Sequence, residues 1–274
     1  MIELPEAHVL ARQLGATVRG RTVASVVAGQ SPHRFAFFTG DPDAYSDLLT
    51  GLTVTDAVAY GGLVELGLGQ QRLLFGDGVN LRYHEAGART PRKHQLLVTF
   101  TDGAALSATV SMYGQLARFT GDFDNPYYQV ARTGPSPLTP AFDAEHVSGL
   151  LGQPGIDKLS VKALLATEQR IPGLGNGVLQ DICWTARLHP RRKVGTLDDE
   201  ARGELFAAVT SVLRAMTDAG GRDTESDLFG QPGGYPTVMS RLHLGEPCPR
   251  CGHAIAKQTY LGGSIYFCGG CQTP

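Results

Sequence analysis

The spacing of hydrophobic positions changes twice along the chain. Residues 6–18 carry apolar side chains at helical intervals, which predicts a helix at the beginning of the sequence. Between residues 22 and 119, short β-rich runs alternate with turn sequences, a texture typical of an antiparallel sandwich or barrel of about eight strands. The predicted strands are Val23–Val27, Arg34–Phe38, Val54–Val58, Leu63–Leu68, Arg72–Phe75, Leu96–Phe100, Ala105–Val110 and Gln115–Phe119.

Helical spacing returns in the second half of the chain. It follows Gly134–Leu138, where two prolines and a glycine predict a linker. The predicted helices are Asp143–Leu151, Ser160–Gln169, Asn176–Arg187 and Asp198–Ala219. The whole pattern predicts an α+β protein with an N-terminal helix and β-sandwich (1–131), a linker (132–141), a helical domain (142–239) and a cysteine-bearing module (240–274).

Composition and charge exclude several classes of protein. The chain has 274 residues, and its 42% hydrophobic content excludes a disordered chain. No apolar run approaches the ~18 residues of a membrane span, and the N-terminus lacks a signal-peptide pattern. We therefore expect a soluble, cytoplasmic protein. The net charge of −2 argues mildly against an extended polyanion as partner.

Four of the five cysteines form two closely spaced pairs. Cys248 and Cys251 are followed, after 16 residues, by Cys268 and Cys271. Two CxxC turns at this separation predict a four-thiolate zinc site, with residues 254–267 forming a hairpin between them. Disulfides are unusual in a cytoplasmic chain, and a redox CxxC would not need a second copy. We therefore expect one structural zinc ion.

The segment Gln169–Asn176 predicts a turn between two helices. Its glycines and the N-terminus of the following helix would expose backbone amides to an anion such as a phosphate. The same glycines would also serve an ordinary helix–turn–helix corner for steric reasons. The pattern by itself leaves both interpretations open.

Four features together resemble the formamidopyrimidine-DNA glycosylase and endonuclease VIII family of bacterial base-excision repair. They are Glu3–Glu6, Gly134–Leu138, the segment Lys162–Asn176 with the later His189-Pro190, and the four cysteines. The resemblance runs nearly end to end. It implies an N-terminal helix and β-sandwich joined to a helical domain with a helix–two-turns–helix element and a zinc finger.

The resemblance also implies roles for particular residues. Glu3 matches the family's general acid/base near the sugar ring, and Glu6 matches the carboxylate that supports it; alternatively, both complement the helix dipole. Met1 is implied as a catalytic amine only if the protein is active. DNA-binding roles are implied for five further residues: Lys162, Gly173, Gly175, Asn176 and Tyr113. Asn176 would otherwise merely cap a helix.

Several of the family's working positions are occupied by other residues. Ile2 stands where the family has its nucleophilic proline, and Gly62 stands at the position of the catalytic-pocket lysine. Asp77 replaces the methionine that fills the gap left by a flipped nucleotide. The reading loop at 109–114 lacks both arginines, and Gly263 replaces the zinc-finger arginine.

Three functions remain compatible with these residues. The leading expectation is a glycosylase-family protein with a degenerate site, which binds duplex DNA at reduced affinity and has little or no base-excision activity. It would be a monomer in the cytoplasm, associated with the nucleoid if it binds DNA. The second is an active glycosylase and abasic-site lyase that uses the Met1 amine. The third is a scaffold protein that reuses the fold without DNA.

Overall fold

The computed structural model describes residues 1–273. The helices are α1 (Leu4–Thr17), α2 (Tyr45–Leu49), α3 (Pro126–Thr133), α4 (Ala144–Leu151), α5 (Val161–Ala166), α6 (Leu179–Thr185) and α7 (Asp199–Asp218). The strands are β1 (Val23–Ala28), β2 (Ala36–Phe38), β3 (Val54–Tyr60), β4 (Leu63–Leu68), β5 (Gln71–His84), β6 (Leu96–Phe100), β7 (Ala105–Thr120), β8 (Ile255–Tyr260) and β9 (Gly263–Cys268). The predicted combination of helices and an antiparallel sheet is confirmed.

Helix α1 lies against the sheet of the N-terminal half. It begins at a proline-containing first turn, where Pro5 fits the fixed φ of a helix start and Glu6 complements the helix dipole. Its apolar stripe, with Val9, Leu10 and Leu14 buried, packs into the same core as the inward-facing residues of the strands. The expected N-terminal helix is therefore present, and it begins two residues earlier than predicted.

The sheet has the strand order β1-β6-β7-β5-β4-β3. Its neighbouring strands are antiparallel, except that the short β2 pairs in parallel with β7. Strands β5 and β7 are longer than predicted, and β7 unites two predicted strands. Strand β5 continues through Gly76–Gly78, whose glycines resemble a turn sequence, and the register shift between Asp77 and Val79 leaves residues 111–113 of β7 as a bulge opposite Gly78.

A second core forms in the other half of the chain. Apolar residues of α5, α6 and α7 pack together there, and Leu4 of α1 joins them. Beyond this core, β8 and β9 form the predicted hairpin. Helix α3 ends at Thr133, inside the segment expected to be the linker. Among the helices of residues 1–273, none combines the length and the apolar content needed to cross a bilayer.

Candidate active site

The first two residues are fixed to both halves of the protein. Ile2 is buried, and its backbone N–H donates to the carbonyl oxygen of Asp77 at 2.7 Å. The α-amino group of Met1 forms an ion pair with Glu225, in the loop after α7. The nitrogen of residue 2 is thus an amide in a hydrogen bond, and the terminal amine is a paired ammonium.

Glu3 holds the start of α6 to the start of α1. Its two carboxylate oxygens accept hydrogen bonds of 2.8 Å from the backbone N–H groups of Gly177 and Val178. A Cβ atom on Gly175 would lie 2.7 Å from the carboxyl carbon of Glu3, so glycine is required for this approach. Burial raises the pKa of Glu3, against the opposing effect of Arg222.

Arg222, which the sequence did not indicate as a site residue, lies between the carboxylates of Glu3 and Glu6. Its Nε and Nη2 atoms donate to the two oxygens of Glu6 at 2.9 and 2.8 Å, and its Nη1 lies 3.5 Å from Glu3 Oε2. All three residues are at most 5% exposed. Burial alone would lower the pKa of Arg222, but Glu3 and Glu6 raise it above its ordinary value, so the guanidinium stays charged. We call these residues the buried triad.

Gly62, which stands where the family has a lysine, is packed against backbone. The turn at Gly61 and Gly62 packs directly on Pro172 and Gly173, and a Cβ atom on Gly62 would lie 3.1 Å from Gly173 Cα. Gly173 has a φ of +79°, and a side chain there would overlap the amide of Gly62. Its carbonyl oxygen accepts from the backbone N–H of Leu4 at 2.8 Å. The predicted phosphate-binding turn therefore also forms the contact between the two halves.

Lys162 and Asn176 meet at the β8–β9 hairpin. Lys162 Nζ donates to the carbonyl oxygen of Tyr260 at 2.7 Å, and Asn176 Nδ2 donates to that of Ser264 at 2.9 Å. Asn176 Oδ1 is buried and has no hydrogen-bond partner within residues 1–273. A Cβ atom on Gly263 would lie 3.3 Å from both Lys162 Nζ and Asn176 Oδ1. The two predicted DNA-binding side chains thus converge beside the glycine at the finger-arginine position.

The bulge between β5 and β7 carries the predicted reading loop. Tyr113 is 41% exposed and Met112 is 65% exposed, so both side chains are available to a ligand. Asp77, opposite them, has a φ of +58°. Burial raises the pKa of Tyr113. The negative charges of Asp77 and Glu3 raise it further, because they disfavour a phenolate beside them. The structure therefore brings Tyr113 toward Glu3 and the N-terminus.

The four cysteines converge at the end of the chain. Their sulfur atoms all lie within 4.8 Å of one another, with 3.8 Å between Cys248 and Cys271 and 3.3 Å between Cys251 and Cys268. Tetrahedral thiolates at ~2.3 Å from a zinc ion stand about 3.8 Å apart. The donors therefore fit one tetrahedrally bound metal ion. Trp184 Nε1 donates to Cys248 Sγ at 3.4 Å, which ties α6 to this site.

Two curated proteins similar to this chain share one description. The curated formamidopyrimidine-DNA glycosylase of Alkalilimnicola ehrlichii is 31% identical over 99% of this chain and 100% of its own length. That of Brevibacillus brevis is 28% identical over 99% of each chain. No protein-family model matches the sequence.

Solved structures show the same fold over the full chain. The wild-type Lactococcus lactis Fpg (MutM), in complex with DNA containing N7-benzyl-Fapy-dG, superposes with a TM-score of 0.85 at 24% identity, covering 99% of this chain and 100% of its own. The MutM (Fpg) protein of Thermus thermophilus superposes with a TM-score of 0.81 at 25% identity, covering 98% of each chain.

Proposed function

Because this chain belongs to the formamidopyrimidine-DNA glycosylase family, we propose that it binds duplex DNA with reduced affinity and has little or no base-excision activity. The relatives' solved complexes with DNA support the choice of ligand. DNA binding and chemical attack on the sugar are two separate properties, and they depend on different residues.

The nitrogen of Ile2 carries the catalytic part of the proposal. The family attacks a sugar carbon with the secondary amine of an N-terminal proline, which requires a lone pair. The nitrogen of Ile2 is an amide that donates to the carbonyl oxygen of Asp77, and the residue itself is buried. The Met1 amine is paired with Glu225 and would have to lose a proton and its partner before it could attack.

The surroundings supply little help to a nucleophile. Both oxygens of Glu3 accept hydrogen bonds from amides just before α6, and Arg222 lies beside the same carboxylate, so Glu3 is engaged in structural contacts. No side chain at Gly62 reaches toward the site. Missing groups of this kind cost ~4 kcal/mol or more of transition-state stabilisation, which corresponds to at least ~10³-fold in rate.

The DNA-binding part rests on the residues that remain. They are the glycine turn, Asn176 and the exposed Tyr113, while Met112 and Gly263 supply no charge. With two to four phosphates neutralised, log K against log[salt] should have a slope of about −2 to −4. The four cysteines would hold one structural zinc ion and so fix the hairpin that touches Asn176. We take the protein to act as a monomer in the cytoplasm, at the nucleoid.

Two measurements test the proposal. Borohydride trapping on abasic-site DNA, with 8-oxoguanine excision in parallel, should yield no covalent adduct and a rate at least ~10³-fold below an active relative. Ile2→Pro should not restore activity, since the pocket lysine and the reading-loop arginines would still be absent. A Met1 amine trapped on the sugar would establish the active lyase instead.

Binding is measured separately, because it can survive without catalysis. The affinity for intact, abasic and single-stranded oligonucleotides at two salt concentrations should be weak and little selective for damage. Asn176→Ala should weaken duplex binding, whereas Ile2→Ala should leave it unchanged. Absence of binding even at low salt would refute the proposal in favour of a scaffold. A nanomolar affinity for an abasic duplex, with a steep salt slope, would also refute it.

A further inference from the structure

A basic cavity lies beside strands β5 and β7, further along β5 than Asp77. It has a volume of about 470 Å³ and is lined by strands β5 and β7 and the loop that precedes β6. Four basic side chains line it: Arg82, His84, Arg89 and Arg92. Three hydroxyl-bearing residues, Thr90, Ser107 and Thr109, and Pro91 complete the lining, and no carboxylate contributes to it within the part of the chain described.

Two of the arginines in this cavity are unpaired. Arg89 and Arg92 are exposed, and neither forms a salt bridge within residues 1–273. Arg82 donates to the carbonyl oxygens of Leu81 and Asp227, and the negative charge of the Asp227 side chain acts on its guanidinium. In a chain of net charge −2, like charges gathered around one cavity repel one another unless an anion joins them.

The walls of the cavity are held in place. His84 Nε2 and the buried hydroxyl of Ser107 are 2.8 Å apart and link β5 to β7. The loop is anchored at its end, where the ring Nδ1 of the buried His94 is 3.0 Å from the carbonyl oxygen of Pro91. The strands and the loop that line the cavity are thus already ordered before a ligand binds. This favours affinity, because binding then costs less conformational entropy.

The cavity is continuous with the candidate active site along β5. Successive outward-facing residues of this strand are Asn80, Arg82 and His84, and Asn80 donates to Ser111 beside the exposed reading loop. Arg82 is five positions along the strand from Asp77, a distance of roughly 17 Å at 3.4 Å per residue. This equals about five base pairs of B-DNA at 3.4 Å each. A duplex that binds at the candidate site and runs along β5 would therefore reach the cavity.

We propose that Arg82, Arg89 and Arg92 form a phosphate-binding subsite that lies outside the cleft. Planar guanidinium groups match the oxygens of a phosphate in a bidentate manner, and Thr109 can donate a further hydrogen bond. The ligand is a phosphate group, either of a DNA backbone or of a free phosphate compound. Binding of a DNA phosphate rests on the proposed function, whereas binding of a free phosphate compound does not.

The test compares two double variants of the full-length protein. Arg89→Ala with Arg92→Ala removes two cations from the cavity; Arg12→Ala with Arg19→Ala removes two exposed cations from α1 and its end. For a duplex of about 24 base pairs between about 50 and 200 mM salt, the cavity variant should lose about 1.8 from the salt slope, at ~0.9 per phosphate. The control should retain the slope.

Calorimetric titration with inorganic pyrophosphate forms the second arm. If the wild-type protein and the control bind pyrophosphate and the cavity variant does not, the subsite stands even when no duplex binds, and only the proposed function fails. If the salt slope of duplex binding becomes shallower in the cavity variant and not in the control, the phosphate bound at the subsite is that of DNA. If the two variants behave alike in both arms, the subsite is refuted, whatever the duplex affinity.

Discussion

Removal of the arginine in the buried triad should destabilise the protein strongly. Arg222→Ala would leave Glu3 and Glu6, at most 5% exposed, without the cation that pairs with both, and two hydrogen bonds of 2.8–2.9 Å would be lost. Loss of one partner from a buried ion pair costs about 3–5 kcal/mol, which is a factor of about 10² to 10⁴ in the unfolding equilibrium. Urea unfolding at neutral pH, followed by circular dichroism and by the fluorescence of the single tryptophan, measures this loss.

The pH dependence distinguishes uncompensated charge from lost packing. The pKa of Glu3 is raised in the folded protein, so folding favours its protonated form, and this contribution to stability is gained as the pH falls through the folded pKa. Without Arg222 the pKa rises further. The deficit of Arg222→Ala should therefore shrink between about pH 7.5 and about pH 5.5.

A conservative variant provides the control. Arg222→Lys keeps a cation beside both carboxylates, so its deficit should be smaller and should change less with pH. A deficit of Arg222→Ala that is constant over this range, or that grows as the pH falls, would show that the stability lost is packing and that the carboxylates are not the cause.

Further predictions concern the metal site, the hairpin and the fit around the triad. Cys268→Ser should release the bound zinc and loosen the β8–β9 hairpin without unfolding the sheet; metal analysis of wild-type protein showing less than half an equivalent would contradict this. Gly263→Arg should tighten duplex binding and steepen the salt slope by about 0.9, whereas Gly269→Arg, where a Cβ atom meets nothing within 4 Å, should not. Gly177→Ala should destabilise the protein about as much as Arg222→Ala, because its Cβ atom would overlap the guanidinium; unchanged urea unfolding would disprove that fit.

Elements with a strong periodic pattern were predictable from the sequence. Strands β4 and β6 and the long helix α7 lie within a residue of their predicted bounds, since each has a clear apolar spacing and flanking turn residues. Helices α2 and α3 were missed. Helix α2 has five residues, and α3 buries only Tyr128 and Ala131, so neither produces a periodic signal. The extent of β5 was missed because glycines that normally mark a turn lie within the strand, opposite a bulge.

The candidate site was only partly predictable for a different reason. The cysteine spacing carries its own geometry, and the four sulfur atoms indeed converge. Arg222, in contrast, pairs with the carboxylate of Glu6, 216 residues away in sequence, and nothing in its own Gly-rich segment indicates a partner. The closure at Gly62 was equally hidden, because it depends on Gly173 from the other half of the chain.

The backbone contact between Gly62 and Gly173 has a consequence for the shape of bound DNA. No side chain separates the two turns, so rotamer changes at this contact cannot alter the spacing of the halves, and the hydrogen bond from Leu4 N–H to the Gly173 carbonyl oxygen also joins them. If the halves keep this spacing when DNA binds, the duplex must supply the deformation itself, and smooth bending costs of order 1–6 kcal/mol. A nicked or gapped duplex, which bends at little expense, should then bind more tightly than an intact one of equal length.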